Sequence, residues 1–209
     1  ALPIMTQLFG PYVSASIGIF AIGMGIGQLF FGPLSDHHGR KPIILIGAFI
    51  FTLSGLAINF FSNGILSLLA FRFIQGIGAS ATAVCCTAMI RDCFEGPKLA
   101  QRYSIISASL NVIPALAPSL GAFFLAYWHW NSIFLFLSLY TAVVALIFIV
   151  FFKETRKKLT ADQVQLTWLT LVRNRSLLTY AFCCISGLSL ILSYVSSAPR
   201  VLMEIAGVS

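Results

Sequence analysis

Charged side chains are scarce in this sequence. Only 9% of its 209 residues are Asp, Glu, Lys or Arg, while 58% are hydrophobic. A soluble protein carries about 25% charged residues, so the composition excludes an ordinary soluble domain and indicates an integral membrane protein. Acids are the rarest group, with 6 against 13 bases. The bases lie in short clusters between apolar runs, which indicates membrane orientation rather than nucleic-acid binding.

Motifs typical of enzymes are also missing. The sequence has no Gly-x-Ser-x-Gly elbow, no His-Glu-x-x-His and no phosphate loop, so we predict that the protein is not an enzyme. The glycines at residues 23–27 lie inside an apolar run and predict helix packing. His37 and His38 with one nearby acid are a weak ligand set, so we predict no metal site. Adjacent cysteines do not form ordinary disulfides or tetrahedral metal sites. We therefore interpret all five as small packing residues: Cys85, Cys86, Cys93, Cys183 and Cys184.

Long apolar runs dominate what remains. Each is about 20 residues long, enough to cross a bilayer as a helix, and none alternates as a strand would. We therefore predict an all-α fold, a polytopic membrane helix bundle, with helices near residues 12–31, 43–61, 65–90, 104–126, 132–152 and 177–197.

The connections between the runs alternate in charge. Excluding Arg72 and Arg200, the remaining eleven of the 13 Lys and Arg residues lie on one side, which the positive-inside rule makes cytoplasmic. The longest polar stretch predicts a cytoplasmic linker at residues 153–176, between an N-terminal bundle at 1–152 and the start of a second bundle at 177–209. If the protein has two similar halves, we expect one helix before Ala1 and most of the second half after Ser209.

Arg72 is the only charged residue well inside an apolar run. A charge at the bilayer centre costs roughly 2.5 kcal/mol or more, so Arg72 is a candidate functional residue. No acid lies within a run, so its partner is water, backbone carbonyls, a substrate or an acid outside this chain. Gln75, Gly76, Ala79 and Ala83 share its helical face, which predicts either a cavity or close helix packing. The alternative is that Arg72 snorkels to the membrane surface.

Two prolines interrupt the run at residues 104–126. Pro114 and Pro118 are one turn apart and share a face with Asn111. Each proline removes a backbone hydrogen bond and bends the helix. A bent helix of this kind can close a bundle at one end and open it at the other; the alternative is a fixed bend without motion.

A short polar segment at residues 32–41, GPLSDHHGRK, separates the first two runs. We predict a turn at residues 36–41 on the cytoplasmic side. Asp36 can accept hydrogen bonds from backbone N–H groups or a helix N-terminus. Arg40 can reach an acid at a neighbouring helix end, and Asp92 is the natural candidate. The alternative is a solvated turn with basic membrane anchors.

With these residues identified, the sequence resembles the major facilitator superfamily. Residues 32–41 are similar to its loop signature between helices 2 and 3, and residues 72–78 to its helix 4 signature. Residues 111–121 are similar to its helix 5 antiporter signature, although Ala117-Pro118 and Leu120-Gly121 replace Gly-Pro and Gly-Gly. Segments at residues 1–3, 27–29, 91–94, 113–118 and 199–207 resemble the Bcr/CflA drug-resistance branch of 12-helix drug:proton antiporters. The runs would then be helices 2–7 of the family fold, with helix 1 and helices 8–12 absent.

The resemblance implies roles for these residues. A gating latch would comprise Gly32, Asp36, Gly39, Arg40, Lys41 and Asp92, with Asp36 holding a helix of the other half. A cavity for substrate and proton coupling would be lined by Arg72, Gln75, Gly76 and Asn111. Helix 5 would be shaped by Pro114, Pro118 and Gly121. His37 replaces a residue that is commonly Arg, which removes a fixed charge and is expected to weaken the latch or make it pH-sensitive. The acid that carries the proton in this branch would precede Ala1.

The resulting prediction is a multi-pass transporter of the bacterial inner membrane. It would act as a monomer and export drugs or small amphipathic metabolites by proton-coupled antiport and alternating access. Its partners would be the small-molecule substrate, protons and the lipid bilayer. The proton gradient would be its energy source, with no bound cofactor. The alternatives are a solute:proton symporter for uptake, against which the prolines argue mildly, and a non-transporting membrane scaffold or sensor.

Overall fold

The computed structural model describes residues 15–62 and 64–155, except for the side chains at 111, 114, 115, 117, 118 and 125, and scattered positions between 175 and 190. Every regular element in the described part is a helix, as the all-α prediction required. The helices are α1 (Ala15–His38), α2 (Arg40–Phe61), α3 (Ile65–Cys93), α4 (Gly96–Tyr127) and α5 (Ser132–Phe151). The sixth predicted run, 177–197, lies largely outside the described residues. The chain divides into the compact units Ala1–Lys157 and Lys158–Ser209. The domain boundaries at 152 and 176 stay predictions.

Four helices of the described part are long and apolar enough to cross a membrane, namely α1, α2, α3 and α5. The fourth predicted span, 104–126, falls within α4, whose side chains are only partly described. All five helices agree with the predicted runs in order and approximate position. Most of them continue beyond the apolar run into the charged residues that flank it.

This continuation corrects the predicted turns. The turn at 36–41 is a single residue, Gly39, because α1 runs through to His38 and α2 begins at Arg40. The stretch at 91–103, predicted as a charged connection, contains only two non-helical residues, Phe94 and Glu95. The physical reason is that the backbone stays hydrogen-bonded in helical form while charged side chains reach across to neighbouring helix ends.

Close backbone contacts place α3 at the centre of the bundle, between α1 and α2. A Cβ atom on Gly76 would collide with the Phe20 carbonyl of α1, and one on Gly78 would lie 2.7 Å from the Gly47 carbonyl of α2. Gly23 faces the Phe73 carbonyl in the same way and Gly27 lies against Ile77 and Ser80, so the helix-packing interpretation is confirmed for these two glycines; it is wrong for Gly25, which has open space at its Cβ position. Such approaches stabilise membrane bundles because lipid provides little hydrophobic drive for helix association.

Two buried apolar clusters complete the packing. One contains Ile58, Leu68 and Phe134, and the other contains Phe31, Ile43, Ile44, Ala81 and Cys85. The packing interpretation of the cysteines is therefore confirmed for Cys85. It is wrong for Cys86 and Cys93, whose side chains are exposed. Cys183 and Cys184 lie outside the described residues.

Candidate functional site

The helix-end cluster joins the C-termini of α1 and α3, the N-terminus of α2 and the residues after α5. It consists of Ser35, Asp36, Arg40, Lys41, Asp92 and Glu154. A second group, the Arg72 cluster, consists of Phe20, Arg72, Gln75 and Phe134. The two clusters lie at opposite ends of α3, because the twenty positions from Arg72 to Asp92 correspond to about 30 Å of helix.

Arg40 is the centre of the helix-end cluster and is only 9% exposed. Its Nη1 donates to Asp36 Oδ1 at 2.5 Å and to Ser35 Oγ at 2.7 Å. Its Nε donates to Asp92 Oδ2 at 3.0 Å, so the predicted Arg40–Asp92 contact is present. Both carboxylates belong to other helices than Arg40 itself, and charge-assisted bonds of this kind are roughly twice as strong as neutral ones. One guanidinium therefore connects α1, α2 and α3.

The Ser35 hydroxyl contributes a further link that the sequence analysis did not identify. It is fully buried and donates to the Gly32 carbonyl at 2.8 Å while accepting the bond from Arg40. This places Gly32, a predicted latch residue, in the network through its backbone oxygen. Its Cβ position is open, so Gly32 is not needed for close packing in the described structure.

Glu154 makes the contact that was expected of Asp36. Its Oε1 accepts the backbone N–H of Arg40 at 2.9 Å, and its Oε2 accepts that of Lys41 at 3.0 Å. The carboxylate thus binds the N-terminus of α2, where the free N–H groups and the helix dipole favour negative charge. Asp36 instead bonds the Arg40 side chain. An acid directly after an apolar run on the cytoplasmic side is the signal that could have identified Glu154.

Lys41 makes the reciprocal contact, from the start of α2 to the C-terminal end of α5. Its Nζ donates to the carbonyls of Ile149 at 2.8 Å and Phe152 at 2.5 Å. These carbonyls lie at the C-terminal end of α5, where a cation is favoured. Glu154 and Lys41 therefore cap each other's helices, each contact being worth typically 0.3–1 kcal/mol.

Gly39 is required at the junction for two reasons. Its φ of 99° lies in the region that side-chain-bearing residues rarely adopt. A Cβ atom there would also lie 2.7 Å from Glu154 Oε2. The glycine therefore lets the chain reverse and leaves room for the carboxylate that caps α2.

Arg72 is half-buried in the N-terminal half of α3. Its Nη1 donates to Gln75 Oε1 at 3.0 Å, which confirms that the two side chains share a face. Its Cζ lies over the Phe20 ring at 4.7 Å and over the Phe134 ring at 5.4 Å. These rings belong to α1 and α5, and no sequence motif indicates them as partners of Arg72. Cation–π contacts contribute about 0.5–1 kcal/mol when exposed and 2 or more when desolvated.

Two donor groups of the Arg72 cluster are buried without an acceptor in the described part of the chain. They are Arg72 Nε and Gln75 Nε2. Gln75 is fully buried, and its Nε2 would lie 3.1 Å from a Cβ on Gly55. Since buried polar groups are normally hydrogen-bonded, the cluster has unused capacity for an acceptor such as a carboxylate, a carbonyl or water.

The structure describes the surroundings of two other predicted site residues, Gly76 and Gly121. Gly76 lies at the close α3–α1 contact, which favours packing over the cavity alternative. Gly121 lines an apolar cavity of about 300 Å³ between α4 and α5, together with Leu116, Leu120 and Phe124. The side chains of Asn111, Pro114 and Pro118 lie outside the described residues, so the predicted shared face on α4 stays a prediction.

Comparison with known proteins agrees with the motif resemblance. The sequence profile of the Major Facilitator Superfamily matches residues 1–209. The "Bicyclomycin resistance protein homolog" of Haemophilus influenzae is 31% identical over 201 residues, which cover 94% of this chain and 50% of that protein. The "Multidrug resistance protein MdtL" of Salmonella paratyphi A is 30% identical over 198 residues, covering 93% and 50% respectively. An "Uncharacterized transporter" of Rickettsia bellii is 32% identical over 187 residues, covering 87% and 46%. The chain thus spans about half the length of these curated relatives.

Proposed function

Because this chain belongs to the major facilitator superfamily, it is part of a multi-pass membrane transporter rather than an enzyme, and we propose that the full-length protein exports drugs or small amphipathic metabolites. Export is driven by exchange for protons and proceeds by alternating access across the bacterial inner membrane. The names of two relatives, which refer to bicyclomycin and multidrug resistance, support a drug as the exported molecule.

The observation that carries this proposal is the position of Arg40 between Asp36 and Asp92. Alternating access requires helix ends that are held together in one state and released in another. Charge-assisted bonds suit this task because they are strong when shielded and can be exchanged for water when the helices separate. The helix-end cluster is therefore the latch at the cytoplasmic side. Gly39 and Lys41 maintain its geometry, and Asp36 is half exposed and has capacity for a further partner.

The Arg72 cluster is the proposed site of coupling. A cation held inside the bundle attracts anionic or acceptor-bearing groups, and its unused donors are available to one. Binding of substrate or of a proton would change which acceptor bonds these donors. It would thereby change the relative free energies of the helix arrangements around Arg72. Asn111, Pro114, Pro118 and Gly121 are proposed to shape α4, so that it bends between the two access states. The protein works as a monomer and uses the proton gradient without a bound cofactor.

A growth-protection panel tests this function. The full-length protein is expressed in a susceptible bacterium that lacks its own exporters, and growth is measured with several antibiotics at several pH values. We expect protection against at least one compound. We also expect Arg72→Ala to lose it, because transport then lacks the buried cation.

Arg91→Ala is the matched control, since Arg91 is an exposed arginine on the same helix and should be dispensable. Immunoblots of membranes verify equal expression. Increased sensitivity to a compound would indicate uptake instead of export. No effect of any compound, with the protein present in the membrane, would favour a scaffold or sensor.

A further inference from the structure

The Arg72 guanidinium contacts aromatic rings of two other helices. The Phe20 ring comes from α1 and the Phe134 ring from α5, and both centroids are within the approximate 6 Å limit for a cation–π contact. Gln75 binds one edge of the guanidinium through Nη1. No acid of the described residues forms an ion pair with Arg72, so the rings supply the negative electrostatic surface that a carboxylate would otherwise supply.

The spacing of Arg72 and Gly76 explains how Phe20 reaches this position. Residues four apart lie above one another on the same helical face. Because Gly76 has no side chain, the α1 backbone comes into contact with α3 at the Phe20 carbonyl. The Phe20 ring is thereby placed over Arg72, one turn away. Gly76 thus affects Arg72 indirectly, because its lack of a side chain lets α1, which carries Phe20, pack closely against α3.

The second ring is fixed by its own surroundings. Phe134 is 8% exposed and packs with the fully buried side chains of Ile58 and Leu68. Trp130 contacts it edge to face, with ring centroids 6.2 Å apart. A ring enclosed in this way cannot leave the guanidinium without disrupting the packing of α2 and α3. Its orientation is therefore set by the bundle.

We propose that Phe20 and Phe134 are positioning residues for Arg72: their ring faces stabilise the positive charge of the guanidinium and fix its position in the bundle, with its Nε–H left for an acceptor. The clamp, defined as these two rings, links α1 and α5 through a residue of α3. It would make the orientation of the cation dependent on how closely α1 and α5 pack against α3. The consequence for transport rests on the proposed function, whereas the clamp itself does not.

Stepwise fluorination of each ring tests the clamp directly. Phenylalanine with one, two or three ring fluorines is inserted at position 20 or 134 of the full-length protein, which weakens the ring's attraction for cations with little change of shape. Thermal unfolding in detergent and transport by the same preparations are then measured. Fluorination at Phe30, on α1 but 70% exposed, is the matched control.

We expect the unfolding midpoint to fall steadily with fluorine number at both positions and by about 2 °C or more for three fluorines. The transport rate should fall about 5-fold or more over the same series, because a fold-change of this size corresponds to the loss of one cation–π contact. The Phe30 series should be flat. In an Arg72→Met background the fluorine dependence at positions 20 and 134 should disappear.

A flat series at both clamp positions, or one unchanged in the Arg72→Met background, would overturn the clamp. If that background does not fold, the comparison of positions 20 and 134 with position 30 is sufficient to decide. A midpoint that falls while transport stays constant would support the clamp and contradict the proposed role of Arg72 in coupling. The failure of the inference and the failure of the proposed function are thus distinguishable.

Discussion

Arg40 Nε lies 3.0 Å from Asp92 Oδ2, although 52 positions of the sequence separate the two residues. The contact joins the first residue of α2 to the end of α3, and the same guanidinium reaches Asp36 at the end of α1. Asp92 is only 16% exposed in its side chain, so water cannot easily replace its partner. Removal of either charge would leave the other in a poorly solvated position.

Arg40→Ala should therefore destabilise the protein by about 2–4 kcal/mol, because Asp92 and Ser35 lose their shared donor. Chemical unfolding in detergent measures this change. Lys98→Ala, an exposed base at the start of α4, is the control and should change stability by less than about 0.5 kcal/mol. An Arg40→Ala variant as stable as the Lys98→Ala variant would contradict the central role of Arg40 in the cluster.

Coupling between Arg40 and Asp92 is a separate prediction. In a double-mutant cycle with Arg40→Ala and Asp92→Ala, the double variant should be more stable than the sum of the single effects predicts, by about 1 kcal/mol or more. The same cycle between Lys98 and Asp92 should be additive. Additivity in both cycles would mean that the hydrogen bond contributes no specific stabilisation.

Glu154→Ala should expose the N-terminus of α2, because the carboxylate accepts the backbone N–H groups of Arg40 and Lys41. We expect a loss of about 1–2 kcal/mol, and a smaller loss for Glu154→Gln, which keeps one acceptor but not the charge. Hydrogen exchange resolved to the first turn of α2 measures the effect locally. Lys98→Ala is the control, since Lys98 is an exposed charged residue in the first turn of α4. Unchanged exchange in Glu154→Ala would show that α2 is capped otherwise.

Gly39→Ala should cost about 1–3 kcal/mol, because alanine is strained at the observed φ and its Cβ would crowd Glu154. Gly25→Ala is the control: Gly25 is helical with open space at its Cβ position, so alanine there should be neutral or slightly stabilising. The measurement is the free energy of unfolding. Equal stability of the two variants would contradict the described junction.

Much of this organisation could be predicted from the sequence, because apolar length and charge clustering depend on local composition. The helices, the Arg40–Asp92 contact and the shared face of Arg72 and Gln75 all follow from spacing and from the shortage of acids. The capping by Glu154 and the aromatic partners of Arg72 could not be predicted in this way. They depend on how α1 and α5 pack against α2 and α3, and no local pattern encodes that arrangement.

The turn at residues 36–41 was wrong for a related reason. Clustered polar residues predict non-helical backbone, yet within residues 36–41 only Gly39 leaves the helical conformation. A polar residue at a membrane surface has little reason to leave a helix when its side chain finds a partner on a neighbouring helix. The distinction depends on tertiary contacts rather than on hydropathy.

Proton-driven export by the purified full-length protein in liposomes tests the central claim most directly. Substrate movement is followed with and without an imposed pH gradient, and with the gradient collapsed by a protonophore. We predict that substrate moves against the direction of proton flow, and that Arg72→Ala abolishes this movement while Arg91→Ala does not. Substrate movement at the same rate with and without the gradient would contradict proton-coupled antiport.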